Sequence, residues 1–177
     1  IFDATTTILG KTHDEVGALA LSSIPGAHGL TLLPYFEGER TPNRPTATGV
    51  FSGMNIANSN PADIARAMIE GMLSGLADAV AALEDLGVDI KRVLIIGGAA
   101  KNPAVGQIAS ALFGRPVLIP PAGEYVADGA AKQAAWALLG GATPPVWDLG
   151  KATHIEAAAT PAVLEKYRTL RDATANW

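Results

Sequence analysis

The stretch Val93-Leu94-Ile95-Ile96-Gly97-Gly98-Ala99-Ala100-Lys101-Asn102-Pro103 constrains this chain more than any other. Four consecutive branched apolar residues, after Lys91-Arg92 and before a glycine pair, predict a strand buried on both faces, as in a parallel sheet. The glycines leave the backbone bare, so a flat ligand can lie against it. Asn102 is a preferred N-cap and Pro103 occupies the first helical position, so a helix starts here with its free N–H groups aimed back at the turn. This is the local geometry of a nucleotide site, and equally that of a plain strand-to-helix connection. Neither standard phosphate loop fits: there is no G-x-x-x-x-G-K-[ST], and the third glycine of G-x-G-x-x-G is missing.

The flanking segments supply helices and strands. Thr12-x-x-Glu15 is a capping box, and Val16, Leu19 and Ala20 behind it share one face of a short helix that Pro25-Gly26 ends. Leu30 to Leu33 reads as a buried strand. Tyr35 to Thr48, rich in Gly, Pro and charge, reads as a surface loop whose Glu37, Glu39, Arg40 and Arg44 are either solvated or face an anionic ligand or another domain. Asn60-Pro61-x-Asp63 opens the longest helix, which runs to Gly87. Within it Gly71 and Gly75 lie on one face and predict a closely packed neighbour. Glu70, beside that face, is solvated, paired, or placed to order a ligand or a metal-bound water.

After the central turn, Val105, Ile108, Ala109, Leu112 and Phe113 form one helix face that stops at Gly114. Pro116 to Ile119 is the next strand. Strand, helix and strand at this spacing require a crossover, so the two strands are predicted to be parallel neighbours. Pro120 to Tyr125 is then a loop at the ligand-bearing end, and from Asp128-Gly129 an alanine-rich helix, predicted to pack closely, runs to Gly140. The tail from Pro144 reads as peripheral, with one more capped helix from Thr160-Pro161 to Arg171.

Composition narrows the function classes. A chain of 177 residues suits one domain with a sizeable core, and 49% hydrophobic content with 19 glycines fits close-packed α/β layers. A net charge of −4 without a basic cluster argues against nucleic acid as a partner. No apolar run approaches the ~20 residues a membrane span needs, and no signal peptide is visible. The lack of cysteine removes disulfides and thiolate metal sites and suits a cytoplasmic protein. His13, His28 and His154 have no ligand spacing, so no metal-binding residues are expected. The chain opens on Ile1 rather than methionine, and the expectation is a piece of a longer polypeptide.

Four motifs, in order between about Ile24 and Leu139, resemble the C-terminal domain of the FGGY carbohydrate kinases, most closely the xylulose kinases. Leu33-Pro34-Tyr35 with Gly38-Glu39-Arg40-Thr41-Pro42 is similar to the P-Y-L-x-G-E-R-T-P loop, with Phe36 for leucine. Gly49-x-Phe51-x-Gly53-Met54, eight residues, then Asp63-Ile64-x-x-Ala67-Met68-Ile69-Glu70 matches the second family signature at each defined position. Gly97-Gly98-Ala99-Ala100-Lys101-Asn102 resembles the G-G-G-A-[KR]-[SN] adenosine segment, with Ala99 in place of its third glycine. Glu124-Tyr125-Val126-Ala127-x-Gly129-Ala130-Ala131 resembles the late E-Y-x-A-x-G-A-A helix entry.

The resemblance implies an α/β, actin-like (ribonuclease H-like) ATPase domain, partial, with parallel strands and packed helices. Residues 1–143 would be the nucleotide-binding C-terminal domain without its first strands, and 144–177 a peripheral tail. It implies ATP with Mg²⁺ as cofactors, and Gly97, Gly98, Ala99 and Asn102 as the cofactor-binding residues, Asn102 serving the nucleoside or mainly its cap. The catalytic base, the phosphate-binding threonines and most of the sugar site would lie outside this chain, so no catalytic residue is assigned here. The implied activity is phosphorylation of a ketose, most closely D-xylulose to D-xylulose 5-phosphate in xylose metabolism, with these residues alone inactive and a homodimer as one possible assembly. The rival reading is a non-catalytic nucleotide-binding or assembly module of the same fold. A dinucleotide-binding dehydrogenase domain is set aside, because its glycine fingerprint and ribose-binding acid are absent.

Overall fold

The computed structural model describes residues 1–147 and 150–177. It opens with helix α1 (Phe2–Leu9), which the sequence reading does not contain. Three successive threonines disfavour a helix, but here the Thr5, Thr6 and Thr7 hydroxyls donate to carbonyls three or four residues back. Gly10, at φ 62°, ends it. Helix α2 (His13–Ser22) carries the expected capping box: the Thr12 hydroxyl accepts from the Glu15 N–H, and the Glu15 carboxylate accepts from the Thr12 N–H. Strand β1 (Thr31–Leu33) pairs antiparallel with β2 (Val50–Ser52), and Leu32 faces Phe51.

Helix α3 (Pro61–Asp85) is the body on which the rest is laid. The Asn60 side chain caps Asp63, Pro61 takes the first position, and Gly87 follows the end at φ 84°. It packs against α1, α2, β1 and the later helices α4 (Pro103–Phe113) and α6 (Pro161–Ala173). Ile69 and Leu73 join Val16 and Ala20 of α2 and Val105, Ile108 and Leu112 of α4 in the main core. The expected close neighbour at Gly71 is β1: a Cβ there would lie 2.5 Å from the Leu32 carbonyl oxygen. At Gly75 the approach is ordinary, 3.5 Å to the Tyr167 hydroxyl.

The second sheet has the order β3 (Val93–Leu94), β4 (Val117–Ile119), β5 (Thr153–Ile155). β3 and β4 are parallel, as the intervening α4 requires, and β5 runs antiparallel to β4. Burial on both faces of Val93 to Ile96 does not hold. Only two of those residues are strand, and Leu94 and Ile96 are 46% and 48% exposed. α4 covers one side of the sheet, whereas the other side and the outer edge of β3 carry no packed element among the described residues.

Helix α5 (Tyr125–Leu139) departs further from expectation. It begins three residues before Asp128, and none of its residues is buried, so its alanines do not pack closely. In α6, by contrast, Tyr167 is fully buried with Leu33 and Tyr35, which makes part of the segment read as peripheral a wall of the core. Thr160 precedes α6 but does not cap it with its side chain; its backbone N–H donates to Ala111.

Candidate functional site

At the end of β3 the backbone turns through Gly97, at φ 97°, into one 3-10 turn (Gly98–Lys101) and then α4. This φ lies where residues with a Cβ are strained. Gly98 does not need it, and a Cβ at either glycine would meet no heavy atom within 4 Å. The turn therefore presents bare backbone to open space.

Two clefts flank it. One, of about 560 Å³, lies between Ile96, Gly97 and Gly98 and the Pro120–Tyr125 loop. The other, of about 750 Å³, lies between the turn and the starts of α1 and α2, with Phe2, His13, Gly98, Ala99, Lys101 and Asn102 on its walls. Gly98 borders both, Gly97 only the first, Ala99 and Asn102 only the second. The four residues singled out in sequence thus form one continuous ledge between two hollows.

Asn102 is 5% exposed and its amide is committed at both ends. Its Oδ1 accepts from the Ala104 N–H at 3.0 Å, and its Nδ2 donates to the His13 carbonyl at 2.7 Å. The first bond caps α4; the second ties that cap to the start of α2. There is room for this amide only because residue 17 is glycine, whose Cβ would lie 2.2 Å from Oδ1.

The far wall of the larger cleft was not read from the sequence. Phe2 and His13 stack, with ring centroids 5.2 Å apart and planes 16° from parallel, and His13 Nε2 lies 2.8 Å from Asp3 Oδ1. A capping box placed His13 at the start of a helix. Nothing in the local pattern placed that helix against a residue 89 positions later.

Of the other charged candidates, Glu37 and Arg40 are exposed, whereas Glu70, Asp63 and Arg44 are engaged within the fold. Glu70 is buried, 2.5 Å from Arg66 Nε, and its two carboxylate oxygens accept from the Gly26 N–H at 3.0 and 3.2 Å. Burial pushes its carboxyl up, and Arg66 opposes that. Of the sequence alternatives for Glu70, pairing is the one observed. Buried Asp63 accepts from the Ser23 hydroxyl and the Asn60 amide, and lies 2.9 Å from His28 Nδ1. Burial works against its charged form, but these three partners outweigh that and hold its carboxyl below the usual carboxylate range. In the Tyr35–Thr48 loop, the Arg44 guanidinium lies 6.0 Å from the Tyr35 ring centre and donates to the Arg171 carbonyl, so it grips α6. Among the described residues no group of three or more His, Cys, Asp or Glu could hold a metal ion.

The chain is similar to proteins already known. A family model described as the FGGY family of carbohydrate kinases, C-terminal domain, matches residues 6–138. A xylulose kinase of Streptomyces coelicolor is 40% identical over 139 residues, which are 78% of this chain and 27% of that protein. A glycerol kinase of Alkalilimnicola ehrlichii is 38% identical over 137 residues, 76% of this chain and 27% of its own length. Among solved structures, the xylulose kinase of Bifidobacterium adolescentis superposes with a TM-score of 0.82 at 47% identity, over 96% of this chain and 33% of that one. The chain therefore spans about a quarter of the length of the curated relatives it matches.

Proposed function

This chain belongs to the FGGY family of carbohydrate kinases, as its C-terminal domain with the actin-like ATPase fold, and on that premise we propose that it is the ATP-binding part of a cytoplasmic kinase that phosphorylates D-xylulose. Phosphoryl transfer of this kind works by in-line positioning and charge stabilisation, with a carboxylate accepting the hydroxyl proton. The work of this chain is to seat the nucleoside. Gly97 and Gly98 let the nucleoside approach the backbone, Ala99 continues the ledge, and Asn102 holds the start of α4 beside it. No carboxylate of this chain is given the role of base, because Glu70 and Asp63 are already bonded in the fold. With no residue here assigned as the base, residues 1–177 alone are expected to bind ATP without turning over sugar.

The observation that carries the reading is the empty space in front of Gly98. Gly98→Val, in the full encoded polypeptide, puts a branched side chain at that space, where its Cβ meets no heavy atom within 4 Å, and Gly98 has no left-handed φ to lose. ATP affinity, measured by calorimetric titration, should fall by roughly tenfold or more, the scale of one lost stacking contact, while D-xylulose affinity stays put. Unchanged ATP affinity in a folded variant returns the turn to a plain strand-to-helix connection. The similarity to a glycerol kinase favours one rival acceptor, a three-carbon polyol. Turnover compared on D-xylulose and glycerol separates the two.

A further inference from the structure

The charged loop Tyr35 to Thr48 contains one arginine that the fold uses only in part, and an anionic ligand is a role its sequence leaves open. We propose that Arg44 anchors a second binding site, for a small organic anion, in the cleft between this loop and the end of α6. The ligand class is a phosphate ester or carboxylate with an apolar body. The cleft measures about 290 Å³, at the small end of ligand pockets. It shares no residue with the two clefts beside the glycine ledge, so it stands or falls apart from the nucleotide reading.

The walls are amphiphilic and carry charge of one sign. Leu33 and Tyr35, both buried, give an apolar floor, and the Trp177 indole, 80% exposed, adds an aromatic side. In a protein of net charge −4, Arg44 lines this cleft and no acid does so among the described residues. Asn43, Thr46 and Thr48 line it too, and their exposed side chains take no part in the hydrogen bonds of the fold among the described residues.

The guanidinium is held in place but not neutralised. Its Nη1 donates to the Arg171 carbonyl at 2.7 Å and lies 3.5 Å from the Thr174 hydroxyl, and the Tyr35 ring centre is 6.0 Å away. Arg168 and Arg171 of α6 pair with Asp78, and Arg171 also with Asp172, whereas Arg44 has no ion pair among the described residues. Asp172 feels Arg44 only through space, since its own oxygens lie 2.8 and 3.2 Å from Arg171 Nε and Nη2. Arg44 Nε and Nη2 thus remain as a fork of the kind that grips phosphate or carboxylate. The bland alternative is that Arg44 only clamps the loop to α6. That clamp takes Nη1 alone and does not account for the missing acid.

The test titrates phenyl phosphate, benzoate and neutral benzyl alcohol into the full encoded polypeptide, with and without saturating ATP, and into its Thr46→Glu and Thr46→Gln variants. Thr46 is exposed and outside the clamp, so both variants should fold with the clamp intact. At least one of the two anions should bind saturably and raise the melting temperature. Benzyl alcohol should do neither, and ATP should leave the anion's affinity unchanged. Thr46→Glu, which gives Arg44 a carboxylate of its own, should weaken the anion by roughly tenfold or more, while Thr46→Gln, of the same size, leaves it nearly unchanged. Binding of phenyl phosphate alone supports the proposal and makes the ligand a phosphate ester; binding of benzoate alone supports it and makes the ligand a carboxylate. Saturable binding of neither anion overturns it. So do equal binding of benzyl alcohol, displacement by ATP, which would put the probe at the nucleotide site, and an anion affinity that Thr46→Glu leaves untouched. Equal loss in the two variants would mean bulk rather than charge and overturns it as well.

Discussion

Helices α3 and α5 are both rich in alanine and leucine, yet they have opposite fates. Eleven of the 25 residues of α3 are buried, and none of the 15 of α5. α3 is packed as far as Ala77 by α1, α2, α4, α6 and β1, while α5 leaves Val126 and Leu138 85% and 87% exposed in a molecule whose β3 edge is unpaired among the described residues. Apolar spacing says that a helix has a face to bury. It does not say whether anything covers that face, because cover comes from segments remote in sequence.

The contrast can be broken most forcefully at the ion pair inside α3. Arg66→Ala leaves the buried Glu70 carboxyl short of its partner and should cost about 3–5 kcal/mol. Chemical denaturation measures it. Replacing both partners with apolar residues should recover most of the loss, since a buried pair is worth far less than the cost of breaking it.

Glycine substitutions should sharpen the comparison by changing sign between the two helices. Gly71→Ala drives a methyl group toward the Leu32 carbonyl oxygen, 2.5 Å from its ideal position, and overpacking of this kind costs about 1–3 kcal/mol. Gly129→Ala in α5 meets nothing within 4 Å, so only helix propensity acts, and a gain of about 0.5–1 kcal/mol is expected. Equal effects at the two positions would mean that α5 is covered in solution.

The smallest effect on stability, and the most direct view of the bare face, should come from Leu138→Glu. Stability should move by no more than about 0.5 kcal/mol, while binding of a hydrophobic dye and concentration-dependent self-association both fall. A dye-silent, monomeric parent protein would show that the face is already shielded.

How much the sequence revealed follows the same division. α2, α3 and α4 were legible because Thr12, Asn60-Pro61 and Asn102-Pro103 mark their starts chemically and a 3.6-residue pattern runs behind each. α1 was not, because its helix depends on threonine hydroxyls turning back onto the backbone, an effect that propensity counts against. β2 and β5 have three residues each, too few for alternation to show, and each is a strand only through its partner. At the site the glycine ledge was readable, since bare backbone next to a helix start is a local property. The aromatic pair on the other side of the cleft was not, since Phe2 and His13 come to border one cleft with Gly98 only through the packing of α1 and α2 on α3.

The Asn102 amide has a consequence for how such a sequence can drift. Position 102 must accept at one end, donate at the other, and fit beneath a residue without a side chain. Asn102→Asp would keep the cap but lose the donor to the His13 carbonyl, and Asn102→Ser would leave a side chain too short to serve both partners. Residue 17 is bound by the same bargain, because any Cβ there collides with the amide. The two positions, 85 apart in the chain, are therefore ordered in how they change: a descendant that acquires a side chain at 17 must first have given up the amide at 102.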